Sequence, residues 1–109
     1  NMSTTLNIGL NVKGAGTMIA LGVYRRLNAY YGLCVTGAQV RQSITEPTLV
    51  VTTDRYVGPI EAHGIAQDFN QEAIAVKNEG MPGFLAGPQA DKWGAFDESQ
   101  FLTLPEVAA

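Results

Sequence analysis

The chain reads as an α+β domain of the ferredoxin-like βαββαβ kind, extended by a short C-terminal strand and an irregular aromatic tail. Three observations predict this. Leu6, Ile8, Leu10 and Val12 alternate with Asn7, Gly9 and Asn11, the period of a half-buried strand. Between 18 and 31 the apolar positions recur at gaps of three and four, the stripe of an amphipathic helix. The elements then follow in the order strand, helix, strand, strand, helix, strand, which is the split βαβ pattern.

The first strand presents an aliphatic face and a small polar one, and should stop at Lys13-Gly14-Ala15-Gly16. Thr17 is then suited to cap a helix. Ile19, Val23, Leu27 and Tyr30 share that helix's buried side, with Ala20, Tyr24 and Tyr31 beside them, and Arg25, Arg26 and Asn28 elsewhere. Gly32 fits the left-handed position that ends it. Leu33 to Gln42 predicts a second strand with Gly37 as a bulge. Ser43 to Pro47 is a turn, and Pro47 holds Glu46 extended. Thr48-Leu49-Val50-Val51-Thr52-Thr53 is a β-branched run for a third strand, paired with the second as an antiparallel hairpin.

Gly58-Pro59 opens a second helix, since proline is tolerated in the first turn. Ala62, Ile65, Ala66 and Phe69 are its expected buried residues. Ala73 to Val76 predicts a fourth strand, 78–83 a glycine- and proline-bearing turn, and Phe84-Leu85-Ala86 a short fifth strand paired to the fourth. Residues 87–109 lack a period. Trp93, Phe96, Phe101 and Leu102 make them sticky, so this tail should pack on the domain or on a neighbouring subunit. Residues 1–109 are expected to form one domain.

Of the 109 residues, 46% are apolar and 16% charged, a balance that favours a folded core over disorder. Cys34 is the only cysteine, which excludes an intrachain disulfide, and it is expected to be buried as a small hydrophobe. No stretch has the basic, apolar, small-residue order of a signal peptide, and no apolar run nears about 18 residues. A reducing cytoplasm is the expected compartment, with no membrane partner. The net charge of −3 argues against nucleic acid, which requires a basic footprint. Charge is uneven: five bases face two acids in 1–55, and two bases face eight acids in 56–109. Such asymmetry suits self-association or a basic ligand patch, and equally two solvated faces.

Lys13, Gly14, Gly16 and Thr17 lie between a strand and a helix, where converging backbone amides can hold a small anionic ligand, with Arg25 assisting. The same residues are also ordinary turn chemistry. The lysine precedes the glycines, so this is no Walker A loop, and the third glycine of a dinucleotide fingerprint is missing. His63 is the sole histidine and has no helical partner at zinc-ligand spacing. It is expected on the surface of its helix. Asp91, Asp97 and Glu98 flank Trp93 and Phe96, a grouping seen around sugar clefts. The simpler reading has Asp97 capping a short turn. Tyr24, Tyr30 and Tyr31 with Arg25 and Arg26 suit base stacking or, more simply, the edge of a core. No catalytic residue, metal ligand or cofactor is assigned.

Thr45-Glu46-Pro47-Thr48-Leu49-Val50-Val51 and the stretch from Trp93-Gly94-Ala95-Phe96 to Phe101-Leu102 resemble segments of small phage and plasmid proteins, a likeness that carries no functional residue. The expectation is an accessory or protein-interaction module, assembled as a homo-oligomer. Asn7 and Asn11 on an open sheet face would form its interface, together with Trp93 and Phe96. The rival expectation is a protein acting on a phosphorylated small molecule through the Lys13–Thr17 loop.

Overall fold

Aliphatic and β-branched runs build one five-stranded antiparallel sheet in the computed structural model, which describes residues 3–10, 22, 25–29, 31–43 and 46–105. The strands are β1 (Thr4–Gly9), β2 (Val35–Gln42), β3 (Pro47–Thr53), β4 (Ile74–Asn78) and β5 (Phe84–Ala86). Their order across the sheet is β2-β3-β1-β4-β5. Two helices join them: α1, helical at 22, 25–29 and 31, and α2 (Pro59–Asp68). The chain is thus an α+β domain.

The alternation in β1 becomes two faces. Thr4, Leu6 and Ile8 are fully buried, and they meet Thr53, Val51 and Leu49 of β3 across the ladder. Val76 of β4 pairs with Leu6 on the other side. These side chains join Leu27 and Leu33 from around the end of α1 and Ala62, Ile65 and Ala66 of α2 in one core. The three from α2 are among the four residues the helical stripe predicts; the fourth, Phe69, is the half-buried C-cap of α2.

Local chemistry sets where each element stops. Gly32 adopts φ 60°, a left-handed geometry that costs glycine little, and its N–H reaches Asn28 O at 3.2 Å to close α1. Leu33 N–H is bound back to Leu27 O, so β2 begins at Val35 and not at Leu33. The register slips between Val35 and Gly37, the bulge expected at that glycine. Gly58 and Pro59 open α2, with Ala62 N–H on Gly58 O at 2.9 Å. α2 closes in a Schellman turn: Asn70 sits at φ 58°, its N–H on Gln67 O, and Gln71 N–H binds Ala66 O at 2.8 Å.

A buried amide ties the 54–58 loop to the sheet. Asn78 is 1% exposed; its Nδ2 donates to Val57 O and its Oδ1 accepts from Val57 N–H, both at 2.9 Å. Thr4 Oγ1 also lies on Asn78 Oδ1 and on Arg55 O. Arg55 forks onto Glu61 at 2.8 and 2.9 Å and reaches Tyr31 O at 2.6 Å, linking the C-terminal end of α1 to the first turn of α2. The Tyr31 hydroxyl donates to Asp68 at the other end of α2.

The sheet face away from the helices, expected to be open, is crossed by residues 87–105. Leu102 N–H donates to Asn7 Oδ1 and Asn7 Nδ2 donates to Leu102 O, each at 2.8 Å, so the side chain pairs as a strand backbone would. Arg41 donates to Thr103 O, and Leu104 lies over Gly37. Val50, opposite Asn7, is fully exposed to neither side: it has 0% accessibility yet stands outside the helix-side core, beneath this segment.

Candidate functional site

Between this second face and the overlying segment lies a cleft of about 880 Å³. Its floor includes Ile74 and Ala75 of β4 and Leu85 of β5, and four further parts of the chain close around them. β1 contributes Asn7 and Gly9, the residues of its polar alternation. The β2–β3 turn contributes Glu46, held in place because Ser43 N–H and Oγ both donate to Glu46 O while Glu46 N–H donates to Ser43 Oγ. The Schellman turn after α2 reverses the chain and delivers Gln71 and Glu72. The roof is Trp93 to Leu102.

Gly9 decides how closely these parts meet. A Cβ at this position would stand 2.2 Å from Glu46 Oε1 and 2.9 Å from Gln71 Oε1. Any side chain there would evict one or both, so glycine permits two oxygens to converge over the strand. Gln71 is only 8% exposed, and its Nε2 donates to Phe69 O. Burial raises the Glu46 carboxyl above its ordinary pKa.

The other carboxylates at the cleft are engaged. Trp93 Nε1 donates to Glu72 Oε2 at 2.9 Å, and Lys92 Nζ lies 3.8 Å from Glu72 Oε1. Asp97 Oδ1 accepts from Ser99 N–H and Oγ, and Gln100 N–H donates to Asp97 O, the short capped turn that the sequence predicts. Phe96 and Phe101 pack with ring centroids 5.2 Å apart at 49°, and the Phe96 ring covers Gly83.

Of the residues singled out in the sequence, Asn7, Trp93 and Phe96 come together at this cleft. Asn7 is held by Leu102, Trp93 is 61% exposed with its indole N–H on Glu72, and Phe96 is half-buried. Arg25 is exposed on α1. Asn11, Lys13, Gly14, Gly16 and Thr17 lie outside the described residues, as do Tyr24 and Tyr30. His63 is half-buried on α2. Cys34 departs from expectation: it is exposed, because the α1 cap holds Leu33 inward and leaves Cys34 ahead of β2. Among the described residues no group of three His, Cys, Asp or Glu is placed to hold a metal, and no helix is long and apolar enough to cross a membrane.

Glu46 and Gln71 escaped the sequence reading. Glu46 reads as a turn residue before proline and Gln71 as a polar link. The available signal was Gly9, a glycine inside a strand on its polar face, which marks a place where another group comes close. No family model, curated protein or solved structure matches the chain.

Proposed function

We propose that the chain is a non-catalytic interaction module of ferredoxin-like architecture that self-associates through the edge of β2. Two features support the architecture. β3 lies between β1 and β2, and β1 lies between β3 and β4, so each helix-linked strand pair encloses one antiparallel neighbour, as two interleaved split βαβ units would. β5 then extends the sheet beyond β4.

The state of the β2 edge carries the functional reading. β2 is eight residues long and, among the described residues, pairs with β3 alone. Edge strands template pairing with another chain unless they are short, charged, bulged or proline-bearing. β5 at the opposite edge is three residues long and stands between Pro82-Gly83 and Gly87-Pro88. β2 has no such protection beyond Gly37: it contains no proline, lysine or acid, and its one charge, Arg41, turns to Thr103. Ala38, Gln39 and Val40 are exposed, Val40 to 41%.

The sequence of β2 also suits pairing with itself. A two-fold axis through Gln39 sets Ala38 of one strand against Val40 of the other, both on the helix side of the sheet. It sets Arg41 against Gly37, so no like charges oppose. A continuous sheet across two copies results. Light scattering coupled to size exclusion should find a dimer at micromolar concentration. Val40→Lys, which places a charge at the centre of the junction, should give a monomer with an unchanged circular dichroism spectrum. A strictly monomeric wild-type chain would sink the reading.

A further inference from the structure

The register of the sheet fixes which backbone groups of β2 face outward. Leu10 N–H donates to Pro47 O, so the odd-numbered residues of β3 bond toward β1, and Thr48, Val50 and Thr52 bond toward β2. Ser43 N–H on Glu46 O carries the same alternation into the hairpin, which leaves Arg41, Gln39 and Gly37 bonded to β3. Ala38 and Val40 therefore turn their N–H and C=O groups to the edge. The two-fold pairing about Gln39 sets Ala38 of one copy on Val40 of the other through reciprocal backbone hydrogen bonds. Gly37 then opposes Arg41 of the other copy as a non-hydrogen-bonded pair, whose Cα atoms stand about 4.5 Å apart. Gln39 meets its own copy at the axis, where an amide both donates and accepts.

The C-terminal segment runs toward this junction. Leu102 is bound to Asn7 of β1, Thr103 O accepts from Arg41, and Leu104 reaches the edge strand itself, where a Cβ on Gly37 would stand 3.0 Å from its Cδ1. Leu104 thus fills the space that Gly37 leaves empty, and it is only half-buried there. In the paired sheet, the residue directly opposite Gly37 has its Cβ about 5 Å from that same space. That residue is Arg41 of the other copy, whose long aliphatic stem can cover apolar surface while its charged head stays in water. A two-fold axis perpendicular to the sheet puts both C-terminal segments on one side, so the contact forms twice.

We infer that Leu104 packs across the junction against the Arg41 stem of a second copy, which makes the C-terminal segment part of the self-association surface. The inference rests on the β2-edge reading and adds to it a second layer, on the sheet face opposite Ala38 and Val40. Each Arg41 guanidinium keeps Thr103 O of its own copy, and that bond orders the stem that Leu104 meets.

An equal mixture of ¹³C-labelled and unlabelled chain, read by isotope-filtered NOE spectroscopy, separates the two layers. Contacts between the Gln39 α-protons of different copies report the pairing of β2. Contacts from the Leu104 methyls of one copy to the Arg41 side-chain protons of the other report the second layer, and both sets are expected. Sedimentation equilibrium of Leu104→Ala gives the energetic readout. Losing about one buried methylene of cover at each of the symmetric contacts should raise the dimer Kd about ten-fold. Gln39 contacts without any from Leu104, or a wild-type Kd in Leu104→Ala, would overturn this inference and leave the β2 dimer standing. A monomer with neither set of contacts would remove the β2 reading and this inference with it.

Discussion

Asn78 fills the interior end of β4 with a primary amide that serves both polar groups of Val57. No apolar replacement can do this, and the peptide groups it leaves behind cannot reach water, because Val57 itself is fully buried. Asn78→Ala should therefore cost about 2–4 kcal/mol, the cost of two unsatisfied buried groups more than of the bonds themselves. Urea unfolding checks it, and an unchanged midpoint would mean that solvent enters beside Val57. Glu46 and Gln71 bring two side-chain oxygens close over the backbone of β1. Their meeting depends on the missing side chain of Gly9.

At the scale of elements, β1 and β3 differ in a way the chain announces. β1 alternates, and only its aliphatic residues enter the helix-side core. β3 has an unbroken Leu49-Val50-Val51 run, and all three are buried because the helices cover one face and the C-terminal segment the other. That segment is fastened by the paired hydrogen bonds between Asn7 and Leu102, by Arg41 on Thr103 O, and by Trp93 on Glu72. Asn7→Ala removes the first fastening at a cost of about 1–2 kcal/mol. Amide exchange should quicken at 101–104 and stay slow in β1 and β4, which local release without global unfolding produces. Equal acceleration throughout the sheet would show that the segment is not a separable layer.

For the molecule as a whole, Tyr31 and Glu46 each make stability depend on pH. The Tyr31 hydroxyl is pushed up to about 12 from its ordinary 10, chiefly by desolvation and then by its hydrogen bond to Asp68. The folded form therefore holds its proton more tightly than the unfolded chain, and stability is full below pH 10 and declines as pH rises through 12. Glu46 is raised by burial, so the folded form again binds its proton more tightly. Its contribution is full below the ordinary carboxyl range and is lost as pH climbs through the raised value. Melting temperature measured across pH should show both declines. Tyr31→Phe should flatten the alkaline one and Glu46→Gln the one above the carboxyl range, leaving the other in place.

The sequence by itself determined most of the elements. The period of β1, the proline at the start of α2, the glycine at the end of α1 and the bulge in β2 are all decided by backbone sterics and by burial of alternate residues, which act over a few positions. It also marked the tail as adhesive through Trp93, Phe96, Phe101 and Leu102. What only the tertiary structure decided is where that tail lies. A side-chain amide in β1 captures a backbone ninety-five residues later, and no local pattern encodes such a partner. The cleft has the same origin: Gly9, Glu46, Gln71 and Phe101 come from four separate stretches, and their chemistry arises from proximity that chain folding alone creates.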